Sequence, residues 1–275
     1  MYDLGFDGLD YDYEYISSTD QRTDFADLLS KTRTELAKYS ANSSSCFLFT
    51  MDVPAGPKNY QLLPFDIINQ HLDFVNFMAF DYAGAWSLPD GFFAGHTQNL
   101  YPSNDSHATP FDTASGITYY IDHGISPSKI NLGNPLYGHA FENTDGPGKS
   151  FNGTGIGSFD DPAGTWNYNQ LPIEGSNVMP IELKDLGASY TYDNVTRKMV
   201  SYDTPNIARQ KAEYAIAQGL GGAMWWEISM DKQGDESLVD ATIETFGGLE
   251  TGENRLDYPN SPYENLRNGF PGEGR

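Results

Sequence analysis

Five short apolar runs, each leading into a segment of helical periodicity, constrain the fold of this chain more than any other feature. The runs Leu9–Tyr13, Cys46–Val53, Phe74–Phe80, Lys129–Leu136 and Gly222–Ile228 read as strands. Between and after them, Asp20–Tyr39, Pro57–Leu72, Thr113–His123, Pro205–Gln218 and Ser237–Phe246 read as helices. Phe25, Leu28, Leu29 and Leu36 share one face of the first helix, a proline opens the second, and Gly124 and Gly219 stop two others. Strands alternating with helices predict an α/β fold with a parallel sheet or barrel. One stretch, 138–204, breaks the alternation. It is rich in glycine and aromatics and holds a hairpin pattern, Ser189–Tyr202, turning near Asp193-Asn194. It reads as a small α+β insertion. The tail Glu253–Arg275, rich in Pro, Gly and Asn, is expected to lie over the surface or fray.

Composition excludes whole classes of partner. Asp and Glu outnumber Lys and Arg by 38 to 16, a formal charge of −22. Such a chain repels nucleic acid and anionic membranes, since counterion release needs basic groups. A neutral polymer meets no such penalty. Aromatic residues make up 14%, which suits both core packing and stacking on sugars. No run is long enough to span a membrane, and Met1–Gly8 lacks the basic start and apolar centre of a signal peptide. Four N-x-Ser/Thr sequons, at Asn42, Asn104, Asn152 and Asn194, lean towards secretion. Cys46, the single cysteine, opens an apolar run and is expected to be a buried, inert thiol. The histidines at 71, 96, 107, 123 and 139 show no metal spacing. The Gly153-x-Gly155-x-Gly157 run lacks the strand and helix that would frame a nucleotide loop.

The chemistry lies in Phe6-Asp7-Gly8-Leu9-Asp10-Tyr11-Asp12-Tyr13-Glu14-Tyr15. Alternate residues of a strand share a face, so Asp10, Asp12 and Glu14 point the same way. Three crowded carboxylates repel one another unless one keeps a proton, and a carboxyl that keeps its proton can act as a general acid. Glu14 falls at the carboxyl end of its strand, where barrels place catalytic groups. On the residues alone, a metal pocket and a solvated acidic edge compete with acid catalysis. A calcium loop fails, because Tyr15 stands where glycine is required.

Asp7–Glu14 resembles the D-G-x-D-x-D-x-E signature of family 18 glycoside hydrolases, the chitinases. Further matches follow in order. Phe77–Gly84 resembles that family's sixth-strand M-x-Y-D motif, Leu132–Gly138 its seventh-strand motif and Gly221–Glu227 its eighth strand. Ser201–Pro205 resembles the end of its α+β insertion, and Tyr258-Pro259-Asn260-Ser261 a run of fungal members. The resemblance implies a partial TIM barrel, strands four to eight of eight. Residues 1–137 and 205–275 would belong to the barrel and 138–204 to the insertion.

It also implies a retaining, substrate-assisted hydrolase acting on chitin or chito-oligosaccharides, fungal endochitinase in type, secreted, monomeric and free of metal or organic cofactor. Glu14 would protonate the glycosidic oxygen, Asp12 hold the acetamido N–H, and Asp10 pair with Asp12. Met78, Asp81, Tyr82, Tyr137 and Trp226 would bind the sugar, with Trp226 as its stacking floor and Trp86 beside a neighbouring subsite. Phe80 stands where the family has tyrosine, His139 where it has arginine, and Tyr13 and Ile16 where it has Trp and Pro. The missing Phe80 hydroxyl favours the alternative of a chitin-binding, lectin-like chain.

Overall fold

The computed structural model describes residues 4–43, 46–87, 93–158, 163–176, 178–252, 258–259 and 261–269. The strands are β1 (Gly8–Asp12), β2 (Leu48–Pro54), β3 (Phe74–Met78), β4 (Ile130–Pro135), β5 (Tyr137–Phe141), β6 (Thr165–Asn167), β7 (Ile181–Leu183), β8 (Ala188–Asp193), β9 (Lys198–Ser201) and β10 (Gly222–Trp226). The helices are α1 (Thr19–Ser43), α2 (Pro57–Tyr60), α3 (Phe65–His71), α4 (Thr113–Asp122), α5 (Pro205–Gln218), α6 (Leu238–Phe246) and α7 (Glu264–Arg267). The protein is α/β. One sheet runs β1-β2-β3-β4-β10, every described pairing parallel, and the second runs β6-β5-β9-β8-β7, antiparallel.

Alternation along the parallel strands separates core from site. Phe49, Met51 and Val53 of β2 and Val75 and Phe77 of β3 are buried against Phe25, Leu29 and Leu36 of α1, Ile68 of α3 and Tyr120 of α4. Each large side chain so buried contributes roughly 1.5–3 kcal/mol. The intervening residues, Asp10, Asp12, Thr50, Asp52, Asn76 and Asn131, leave on the opposite face, which is polar. Alternation therefore gives an apolar helix-covered side and a polar side opposite it.

Helix ends follow local chemistry. Thr204 caps α5 through Ile207 N–H, Pro205 opens it, and Gly219 (φ 67°) closes it in the left-handed conformation. The predicted helix over 57–72 is two helices, because Pro64 has no N–H to donate and disfavours helical backbone at Leu63.

The two sheets meet at Leu136, the single residue between β4 and β5. It is fully buried. Its N–H donates to Trp226 O at 2.8 Å, and its carbonyl accepts from Tyr168 N–H at 2.9 Å.

One expectation is corrected. Cys46 is exposed, because the strand begins two residues later, at Leu48. The described part of the tail lies over the surface, anchored where the buried Tyr258 and Leu266 meet Gly5. The tail residues 253–257, 260 and 270–275, and the side chain of Asn42, lie outside the described residues. Among the described residues no helix is long and apolar enough to cross a membrane.

Candidate active site

β1 delivers its carboxylates as alternation predicts. Asp10 accepts a hydrogen bond from the Thr50 hydroxyl of β2, its register partner. Asp12 is paired in register with Asp52, and Glu14 follows just beyond the strand end. Asp12 is held above the usual carboxylate range, first by burial, then by the charge of Glu14, a hydrogen bond with Glu14, and Asp10. The shift favours the protonated form of Asp12, which can donate to the Glu14 carboxylate. The Tyr15 hydroxyl hydrogen-bonds Glu14 as well, and burial and that carboxylate push its ionisation up.

Sequence reasoning missed the next members of this layer. Asp52 Oδ1 accepts from Asn76 Nδ2 at 2.9 Å, and Asn76 Oδ1 accepts from Asn131 Nδ2 at 3.1 Å. Burial, opposed by the Asn76 hydrogen bond and aided by Asp10, Asp12 and Glu14, raises Asp52 to about 6. The signal was an aspartate alternating with Phe49, Met51 and Val53 in an apolar strand.

Asp81 follows β3 with φ 61°, a left-handed conformation that aspartate tolerates better than most residues. Two donors from β5 hold its Oδ1: Tyr137 OH at 2.8 Å and His139 Nε2 at 2.8 Å. His139 is buried, its Nδ1 lies 3.3 Å from Thr165 Oγ1, and its ring meets the Trp86 ring edge-on at 4.8 Å. The residue in the arginine position thus braces Asp81.

A groove of about 770 Å³ runs over the carboxyl ends of β1, β2 and β3. Glu14, Met78, Phe80, Asp81 and Tyr82 line it, with Trp86, Phe93 and Phe111 as aromatic walls and Lys58 and His107 at its rim. Asp10, Asp12, Tyr137 and Trp226 lie outside this lining. Trp226 stands at the end of β10, 56% exposed. Tyr82 lines the groove, while its hydroxyl is buried and bonded to Thr113 Oγ1 of α4 at 2.8 Å and its ring packs on Phe111 at 4.3 Å. Among the described residues no group of three or more His, Cys, Asp or Glu side chains is arranged to hold a metal ion.

Acid–base cleavage of a sugar requires a carboxyl that can hold a proton and apolar walls on which a ring can lie. This parallel α/β sheet presents both at the carboxyl ends of its strands, the place where barrel enzymes carry their active sites. Sequence comparison narrows the class. The chain belongs to the glycosyl hydrolases family 18, whose model matches residues 1–231. It is 41% identical over 270 residues to Endochitinase 1 of Metarhizium robertsii, an alignment covering 97% of this chain and 62% of that protein. Against Chitinase 1 of Aphanocladium album the identity is 39% over 273 residues, covering 98% and 63%. The chain therefore spans about three fifths of the length of these relatives. A class V chitinase variant from Nicotiana tobaccum, crystallised in complex with NAG4, superposes with a TM-score of 0.78 at 26% identity, covering 89% of this chain and 69% of that one.

Proposed function

We propose that this chain is the catalytic portion of a chitinase that cleaves β-1,4-linked N-acetylglucosamine polymers, endo in mode, by a retaining, substrate-assisted mechanism. The observation that carries the reading is the Asp10–Asp12–Glu14 row, with Asp12 held above the usual carboxylate range and Glu14 lining an aromatic-walled groove. Glu14 gives a proton to the glycosidic oxygen as the leaving bond breaks. The substrate's own acetamido oxygen attacks the anomeric carbon, forming an oxazolinium ion. Water then opens that ring, with Glu14 taking its proton back. Asp12 holds the acetamido N–H, and Asp10, braced by Thr50, steadies Asp12. Asp81 and Met78 contact the sugar, Tyr137 acts through Asp81, and Trp226 offers the stacking floor.

The five parallel strands are read as the fourth to eighth of an eight-stranded barrel, with 138–204 as its insertion, which is an antiparallel sheet with no α-helix among the described residues rather than the α+β unit expected. The linear strand order, with β1 and β10 as edges, and the partial coverage of the relatives support this. Exposed sequons at Asn104, Asn152 and Asn194 support secretion, and the chain is read as a monomer acting without a cofactor.

The test is a thermal melt of the chain with and without chito-tetraose, with turnover measured in parallel for Glu14→Gln. A melt raised by the sugar in both forms, with hydrolysis lowered roughly 10²–10⁴-fold in the variant, is expected. Unchanged turnover in Glu14→Gln would overturn the assignment. Stabilisation without turnover in either form would identify a chitin-binding lectin, the reading that Phe80 favours.

A further inference from the structure

The acid row announced by β1 continues onto the neighbouring strand. Asp12 and Asp52 are register partners in parallel strands, so both side chains leave on the same polar face in one layer. Among the described residues no cation forms an ion pair with Asp10, Asp12, Glu14 or Asp52. The groups facing Asp52 are acidic from β1 and its extension, namely Asp10, Asp12 and Glu14. From β3 and β4 they are the neutral amides Asn76 and Asn131. As a strut for Asn76, asparagine would serve as well as aspartate. It would accept the same hydrogen bond without adding a like charge beside Asp12. The charge is therefore the part of Asp52 that its packing does not explain.

We propose that Asp52 is a fourth member of the acid row, a positioning residue whose negative charge, in register across from Asp12, opposes loss of the row's last proton. This rests on the hydrolytic reading above and adds to it a determinant of the working pH range. Closely spaced carboxyls lose their protons in steps that belong to the row as a whole. Below about 6 Asp52 is itself protonated and passive. Above that it is ionised, and the row's last proton is held against one more negative charge than three carboxylates supply. Glu14 needs that proton to protonate the leaving oxygen, so the charge on Asp52 extends the acid's working range upward.

Asp52→Asn keeps the acceptor for Asn76 and removes only the charge. The basic limb of kcat/KM on chito-tetraose should move down by about 0.5–1 pH unit, a loss of roughly 3–10-fold on that limb. The KM at the acidic end should stay within about twofold, which a merely structural loss would not give. A profile superimposable on that of the parent chain overturns the proposal. The carboxyl carbons of Asp12 and Glu14 are also titrated by ¹³C NMR without sugar, in the parent chain, in Asp52→Asn and in Asp52→Ser. The last titration step of the pair should fall in both variants, and a step that stays in place overturns the proposal whatever the activity. A step that falls in a chain with no turnover sinks the hydrolytic reading alone and leaves the proton-holding role of Asp52 standing.

Discussion

Phe80 sits in the groove beside Asp81, its ring 6.3 Å from that of Tyr137. On the proposed mechanism, a hydroxyl at its para position would add a donor for the attacking acetamido carbonyl, so Phe80→Tyr should raise kcat by about 10²-fold with little change in KM. An unchanged kcat would mean that another step limits turnover. Asp52 carries a second prediction at this scale. Its folded-state value, about 6, lies above the ordinary carboxylate value near 3.8. The folded chain therefore disfavours the ionised form, and stability is lost as pH rises from the lower value through the upper. Asp52→Asn should be more stable than the parent by about 1–2 kcal/mol at pH 8 and equal to it near pH 3, as read by urea unfolding at both. Asp10, Asp12 and Glu14 were legible because one strand carries all three at period 2. Asp52 was not, since its partnership with Asp12 exists only once two strands are in register. The brace on Asp81 was hidden for the same reason, His139 being 58 residues away along the chain.

The central elements could be read because their apolar periodicity is long, and their ends because capping is local. Ser237 shows how much one cap holds. Its Oγ accepts from Asp240 N–H at 2.9 Å and donates to Asp231 Oδ2 at 2.6 Å, and Asp231 in turn accepts from Leu238 N–H at 3.1 Å. Ser237→Ala should cost about 1–2 kcal/mol in chemical unfolding, and no loss would mean that Asp231 alone carries the end of α6. The hairpin of β8 and β9 was visible in the turn chemistry of Asp193, whose carboxylate accepts from Val195 N–H at 2.8 Å. The rest of the second sheet was not. All of β5 is buried, so it has no alternation to read, and β6 and β7 are three residues each, too short for any period.

For the molecule as a whole, the contact with most at stake is a buried ion pair. Lys211 Nζ of α5 lies 2.5 Å from Asp203 Oδ2 and 2.6 Å from Gln98 Oε1, while Gln98 Nε2 donates to Gly133 O of β4 at 3.1 Å. Burial lowers the lysine and raises the aspartate, and each opposes that shift in the other. Lys211→Met would strand a buried carboxylate and should lower Tm by about 10 °C, with Asp203→Asn on top restoring part of the loss. A melt within 2–3 °C of the parent would show that water reaches the pair. The one-residue joint at Leu136 has a different reach. Glu14 is carried by the parallel sheet, and Asp81 is gripped by Tyr137 and His139 at the start of the other. With that joint buried and bonded to both sides, the second sheet reaches the groove at one point, through its hold on Asp81, so a change at Leu136 is felt at a carboxylate that the parallel sheet itself carries.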